Sequence, residues 1–157
     1  MKIAITRERH EHEKRVAATP ETVRKFVGLG LEVVVEQGAG EGASLADEAY
    51  GQAGAALAAD AAAALAEADI VLKVQRPLEA GEGRDELALM RRGALLIAML
   101  APYGSHERIA AYAAAGISAF AMELLPRISR AQSMDVLSSQ ANLAGYKAVI
   151  DAAANFG

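Results

Sequence analysis

"DIVLKVQ", Asp69 to Gln75, is the stretch whose reading decides how this chain folds. Its apolar residues follow one another without the polar alternation of a half-exposed strand. That continuity suits a strand covered on both faces, which is the habit of parallel sheets. Four other runs share the pattern: "KIAIT" (Lys2 to Thr6), "EVVVEQ" (Glu32 to Gln37), "ALLIAML" (Ala94 to Leu100) and "ISAFAME" (Ile117 to Glu123).

Helical patterns lie between these runs. Thr19 stands where a cap is needed for "PETVRKFVGLG", with Pro20 at the first helical position and Gly28 or Gly30 near the end. Val23, Phe26 and Val27 are spaced to fill one face. Ser44 is a second capping candidate, ahead of "LADEAYGQAG", and "SHERIAAYAAAG" completes the alternation. The alanine-rich stretch Ala53 to Ala68 reads as one helix lying close to the sheet, because Ala has the highest helix propensity. "LEAGEGRDE", Leu78 to Glu86, reads as a polar surface loop. The order predicts an α/β fold: a doubly wound, mainly parallel five-stranded sheet of flavodoxin or Rossmann type. A final helix, from about Gln132 to Phe156, would run about 36 Å at the α-helical rise. That is long for such a lobe and points to a crossover into a further one.

Composition excludes several functions. The chain has 157 residues, of which 53% are hydrophobic and 4% aromatic, so its core is aliphatic. The net charge of −4 without a basic stripe argues against nucleic acid as a partner. No cysteine is present, which removes disulfides and thiolate metal sites. The first fifteen residues lack the apolar stretch of a signal peptide, and no apolar run is long enough to span a bilayer.

The polar chemistry is concentrated late in the chain. "LPRISRAQSMDVLSSQ" carries Arg127, Ser129, Gln132, Asp135 and Ser138 within twelve residues. Ser129 and Gln132 have capping-box spacing and could merely close a helix start, with Asp135 complementing the helix dipole. "GAGEGA" matches G-x-G-x-x-A at Gly38, Gly40 and Ala43, the spacing of a dinucleotide loop. However, no strand ending in an acidic residue follows at the expected distance, so a plain glycine turn is the better reading. His10, His12 and His106 do not make a metal set, and no metal site is expected. Arg15 could fix a carboxylate or brace its own loop. Lys73, on a doubly covered strand, needs a partner for its ammonium or an outlet at the strand end.

Three stretches together resemble one family. "EKRVAATPETV", "DIVLKVQRP" and "AFAMELLPRISRAQSMDVLSSQANLAGYKAV" are similar to the NAD-binding component of the proton-translocating NAD(P) transhydrogenases, a relative of alanine dehydrogenase. The resemblance implies that residues 1–130 form an N-terminal lobe. Residues 131–157 would form a nicotinamide-covering loop and the start of a helix leading to an NAD-binding Rossmann lobe beyond this chain. It also implies NAD(H) as cofactor, with NADP(H) on a partner component. Gln132 and Asp135 would act in hydride transfer. Arg127, Ile128, Ser129, Leu137 and Ser138 would join them around the nicotinamide. The family's component is a homodimer that works with a membrane-spanning proton channel, so the expected location is cytoplasmic, peripheral to the inner membrane. Two alternatives stay open: an alanine dehydrogenase lobe, using Arg15 and Lys73 but with Leu100 where a histidine is needed, and a non-catalytic dimerisation or interaction module.

Overall fold

Along β1 (Lys2–Ile5), Ile3 and Ile5 enter one hydrophobic core and Ala4 enters another. A strand segment buried on both sides must be apolar at successive positions, which is why the runs do not alternate. The structure, a computed structural model, describes residues 1–156. After β1 come α1 (Pro20–Gly28), β2 (Glu32–Glu36), α2 (Asp47–Gln52), β3 (Ala56–Ala58), α3 (Ala61–Leu65), β4 (Ile70–Leu72), β5 (Leu95–Ala98), α4 (His106–Ala115), β6 (Ser118–Ala121) and α5 (Val136–Asn155).

All neighbouring strands are parallel, in the order β3-β2-β1-β4-β5-β6. The chain winds outward from β1 in one direction, then returns to the other side of β1 and winds the opposite way. One core, around Val23, Val35 and Tyr50, lies under α1 and α2. The other, around Leu65, Leu96 and Tyr112, lies under α3 and α4. The doubly wound architecture is therefore the one expected, with one more strand.

The additional strand is β3, inside the stretch expected to be a single helix from Ala53 to Ala68. Gly54, at φ +96°, breaks that helix. Ala56, Leu57 and Ala58 pair with Val34, Val35 and Glu36, and the Asp60 carboxylate accepts the Ala63 amide at 2.8 Å to start α3. Alanine has little strand preference, but pairing with an already formed β2 outweighs propensity over three residues. Thr19 caps α1 as expected, accepting the Thr22 amide at 3.3 Å. Ser44 does not cap α2: it sits in the left-handed region at φ +59°, and the helix starts three residues later, at Asp47.

The long helix also starts later than expected. A 3-10 turn occupies Ser129–Met134 and α5 begins at Val136. No residue of α5 is buried, and Leu143, Tyr146, Val149 and Ile150 are exposed along it. Among the described residues, no helix is long and apolar enough to cross a membrane.

Candidate functional site

The sheet reverses its winding between β1 and β4, so the loops that leave the two strands diverge and open a crevice at their carboxyl ends. A cavity of about 520 Å³ lies there. Its floor is the strand ends, from Leu72 to Val74, with Met99 and Met122. The loop after β1 supplies Arg15, Val16 and Ala17 as one wall. The segment from Ser133 to Val136, continued by Ser139 and Gln140, closes the top. Val136, Ser139 and Gln140 share a helix face by their i, i+3, i+4 spacing, which is how the first turn of α5 reaches the crevice.

Both cations expected here are present, and both are already partnered. The Lys73 Nζ lies 3.2 Å from Glu86 and 3.7 Å from Glu8, with all three side chains only 1% exposed. It also donates to Thr6 Oγ1 at 3.2 Å and to the Arg7 carbonyl at 3.3 Å. Lys73 therefore neither snorkels nor stands free. Glu8 in turn accepts the amides of Val74 at 2.6 Å and Gln75 at 3.2 Å. Burial pushes the Glu8 carboxyl above its ordinary value, against the pull of Lys73 and the two amides. Arg9 extends the network, pairing with Glu86 at 3.0 Å and with Glu36.

Arg15 is braced in the same way. Its Nε and Nη2 donate to the two oxygens of Glu13 at 2.8 and 2.6 Å, and its Nη1 donates to Gln140 Oε1 at 3.1 Å. The paired guanidinium holds the Glu13 carboxyl down at about 2. Of the two roles open to Arg15, bracing its loop is the one the contacts support.

Of the seven residues expected around a nicotinamide, one lines the cavity and six do not. Asp135 lines the cavity. Arg127, Ile128, Ser129, Gln132, Leu137 and Ser138 are exposed and are not among the residues that line it. Asp135 is the N-cap of α5, accepting the amides of Leu137 at 3.0 Å and Ser138 at 3.3 Å, and the Ser138 hydroxyl at 2.6 Å. The Ser138 hydroxyl, the two amides and Arg127, 3.6 Å away, hold its carboxyl below the usual range. The capping-box alternative fails, because Asp135 does that work and the cap of the 3-10 turn makes no side-chain bond. Gln132 is exposed, and its amide makes no hydrogen bond among the described residues.

The glycine loop is a structural turn. A side-chain carbon on Gly40 would come within 2.5 Å of the Leu45 carbonyl, and one on Gly42 within 2.8 Å of the Lys14 carbonyl. The two glycines are needed because the chain's own backbone packs closely against them. The histidines serve separate places: His10 bonds the Arg76 carbonyl at 2.9 Å, His12 is exposed beside Glu11, and His106 opens α4. Leu100 proves a poor marker for a missing histidine, since at 1% exposure it points into the core. At the end of β5 it is Met99 that faces the cavity. Glu8, Glu13, Glu86 and Gln140 were not singled out from sequence; the only signal was that buried Lys73 required a counter-charge.

These features define a class: a doubly wound α/β lobe with a crevice at its switch point and no phosphate loop of its own. The chain belongs to the alanine dehydrogenase/PNT N-terminal domain family, which its residues 4–144 match. It is 58% identical to a NAD(P) transhydrogenase alpha subunit of Rhodospirillum rubrum over 99% of this chain and 41% of that protein. The crystal structure of a transhydrogenase from Sinorhizobium meliloti superimposes with a TM-score of 0.90 at 52% identity, covering 98% of this chain and 44% of the other. An L-alanine dehydrogenase superimposes with a TM-score of 0.72 at 35% identity, over 78% of this chain and 32% of the other. The chain thus spans less than half the length of the relatives it matches.

Proposed function

We propose that this chain is the first lobe of the NAD(H)-binding component of a NAD(P) transhydrogenase. The observation that carries the reading is the 58% identity over almost the whole chain to a transhydrogenase alpha subunit, against 35% to the alanine dehydrogenase structure. Residues 1–130 form the lobe, and residues 131–157 form the nicotinamide-covering segment and the beginning of the helix toward a second, NAD-binding lobe. The exposed apolar residues of α5 are consistent with a helix that the rest of the assembly covers. The complete enzyme works as a homodimer at the cytoplasmic side of the inner membrane. NADP(H) sits on a separate component, and a membrane-spanning channel carries the protons.

The exposed side chains of the covering segment suit a nicotinamide. Arg127 is 72% exposed and, among the described residues, held only by the 3.6 Å pair with Asp135, and the Gln132 side-chain amide has no partner among them. When bound, the dihydronicotinamide supplies the hydride. Arg127 and the neutral Gln132 amide orient its carboxamide and ribose edges without offering a transferable proton. Asp135, already saturated with donors, fixes the turn from which Ile128, Ser129, Leu137 and Ser138 form the wall. The residues' contribution is positioning, the larger part of what hydride transfer asks of a protein.

The test is Gln132→Ala in the complete enzyme, read by single-turnover hydride transfer and an NADH titration. Misplacement of the ring by about 1 Å can cost about 100-fold in rate, so a loss of about 10- to 100-fold is expected. NADH affinity should hardly change, because the phosphate contacts lie on the other lobe. Wild-type transfer in the variant refutes the role of Gln132.

A further inference from the structure

We propose that Arg15 and Gln140 form a latch that fixes the first turns of α5 against the sheet, making Gln140 a positioning residue for hydride transfer. The inference rests on the functional reading above. It starts from how little holds α5: no residue of the helix is buried. Among the described residues, side-chain hydrogen bonds from α5 are local, with one exception, from Arg15 Nη1 to Gln140 Oε1 at 3.1 Å.

That bond ends a continuous chain. Gln75, just after β4, donates its amide to Glu13 Oε2 at 2.8 Å. Glu13 takes two parallel bonds from Arg15, and its Oε1 also accepts the Arg15 amide at 2.9 Å. A guanidinium gripped by two bonds along one edge has a fixed plane, which sets the direction of Nη1. Gln140 meets it there. The carboxyl end of β4, in the middle of the sheet, is thereby joined to a residue five positions beyond Asp135, about 7.5 Å along the helix axis. Rotation or sliding of this turn would carry Asp135, Ser138 and the attached Arg127 with it. A displacement of about 1 Å is enough to change a hydride-transfer rate about 100-fold.

The experiment uses the full-length protein with its NADP(H) component and compares wild type, Gln140→Ala and Gln140→Glu. Amide hydrogen exchange across residues 133–143 reads the latch. Single-turnover hydride transfer at saturating NADH, with an NADH titration, reads the positioning. Gln140→Ala should exchange about tenfold faster there, the factor a charge-assisted hydrogen bond commands. Its transfer rate should fall about tenfold with the NADH dissociation constant unchanged. Gln140→Glu, which keeps an acceptor for Arg15, should restore both. Unchanged exchange in Gln140→Ala overturns the latch. Faster exchange with wild-type transfer overturns the positioning role. If the wild-type assembly moves no hydride between NADH and NADP⁺, the functional reading fails instead, and the exchange measurement still decides the latch.

Discussion

Replacing Lys73 with Met keeps the aliphatic stem and removes the one ammonium that stands between two buried carboxylates. Glu8 and Glu86 are each 1% exposed, so water cannot take over. Arg9 still faces Glu86, which leaves Glu8 as the stranded charge. Stripping one partner from a buried pair typically costs about 3–5 kcal/mol. Glu8 has an escape: it can bind a proton, at a cost of about 1.4 kcal/mol for each pH unit above its ordinary value of 4.5. At about pH 8 that route costs about 5 kcal/mol and gives no relief, whereas at about pH 5.5 it costs about 1.4 kcal/mol. The sign follows: the variant's folded state holds more protons than its unfolded state, so its stability deficit grows as pH rises. Lys73→Met should therefore lose about 3–5 kcal/mol near pH 8 and about 1–2 kcal/mol near pH 5.5. Urea unfolding of both proteins at the two pH values, followed by circular dichroism, measures it. A deficit of the same size at both would refute the claim that Glu8 depends on Lys73 for its charge.

Glu13 gives the opposite pH dependence. Its carboxyl, lowered from 4.5 to about 2 by Arg15, contributes stability that is present above pH 4.5 and lost as pH falls toward 2. Glu13→Gln should remove up to about 3 kcal/mol at neutral pH and flatten the acid limb of the stability curve, which acid titration of both proteins would show. Tyr112 carries a buried hydroxyl without a partner among the described residues, and its pKa is pushed up to about 12 by burial. Tyr112→Phe should leave stability unchanged or raise it by about 1 kcal/mol in thermal unfolding; a clear loss would mean that the hydroxyl is satisfied in solution. The full-length enzyme should not reduce NAD⁺ with L-alanine, because Met99, Leu100 and Ala101 at the end of β5 offer no proton acceptor; robust reduction would favour the alanine dehydrogenase reading.

The parallel sheet was legible because burial on both faces leaves a local mark: the middle positions of β1, β2 and β4 must all be apolar, and a run of such residues is visible without knowing its neighbours. β3 left no such mark. Ala56, Leu57 and Ala58 read equally well as helix, and only their pairing with Val34 to Glu36 makes them a strand. The helix starts divide similarly. Thr19 and Pro20 name their cap, whereas Ser44 is overruled by the left-handed turn its loop imposes. In the candidate site, the Arg127–Asp135 pair was within reach of sequence reasoning because its partners are eight residues apart. The Glu8–Lys73–Glu86 cluster and the Arg15–Gln140 bond were not, because the winding of the sheet brings their members together across the crevice. What could be read in advance was a physical demand: a lysine on a covered strand must find a counter-charge.

The crevice also bears on how one lobe can serve two chemistries. A small carboxylate substrate would be held here by cations at the strand ends. Arg15 and Lys73 stand at that place, yet Arg15 is committed to Glu13 and Gln140, and Lys73 to Glu8 and Glu86. An incoming carboxylate would have to displace the Gln140 amide from Arg15 and a carboxylate from Lys73. For Lys73 it would leave a buried charge behind, at a cost of several kcal/mol. The arrangement therefore favours a crevice whose cations serve as internal fasteners. Under the proposed function, ligand contact falls instead to the exposed surface of the covering segment, where Arg127 is loosely held and, among the described residues, the Gln132 side chain makes no hydrogen bond. A nicotinamide carboxamide, uncharged and rich in hydrogen-bonding edges, suits that surface better than an amino acid suits the crevice.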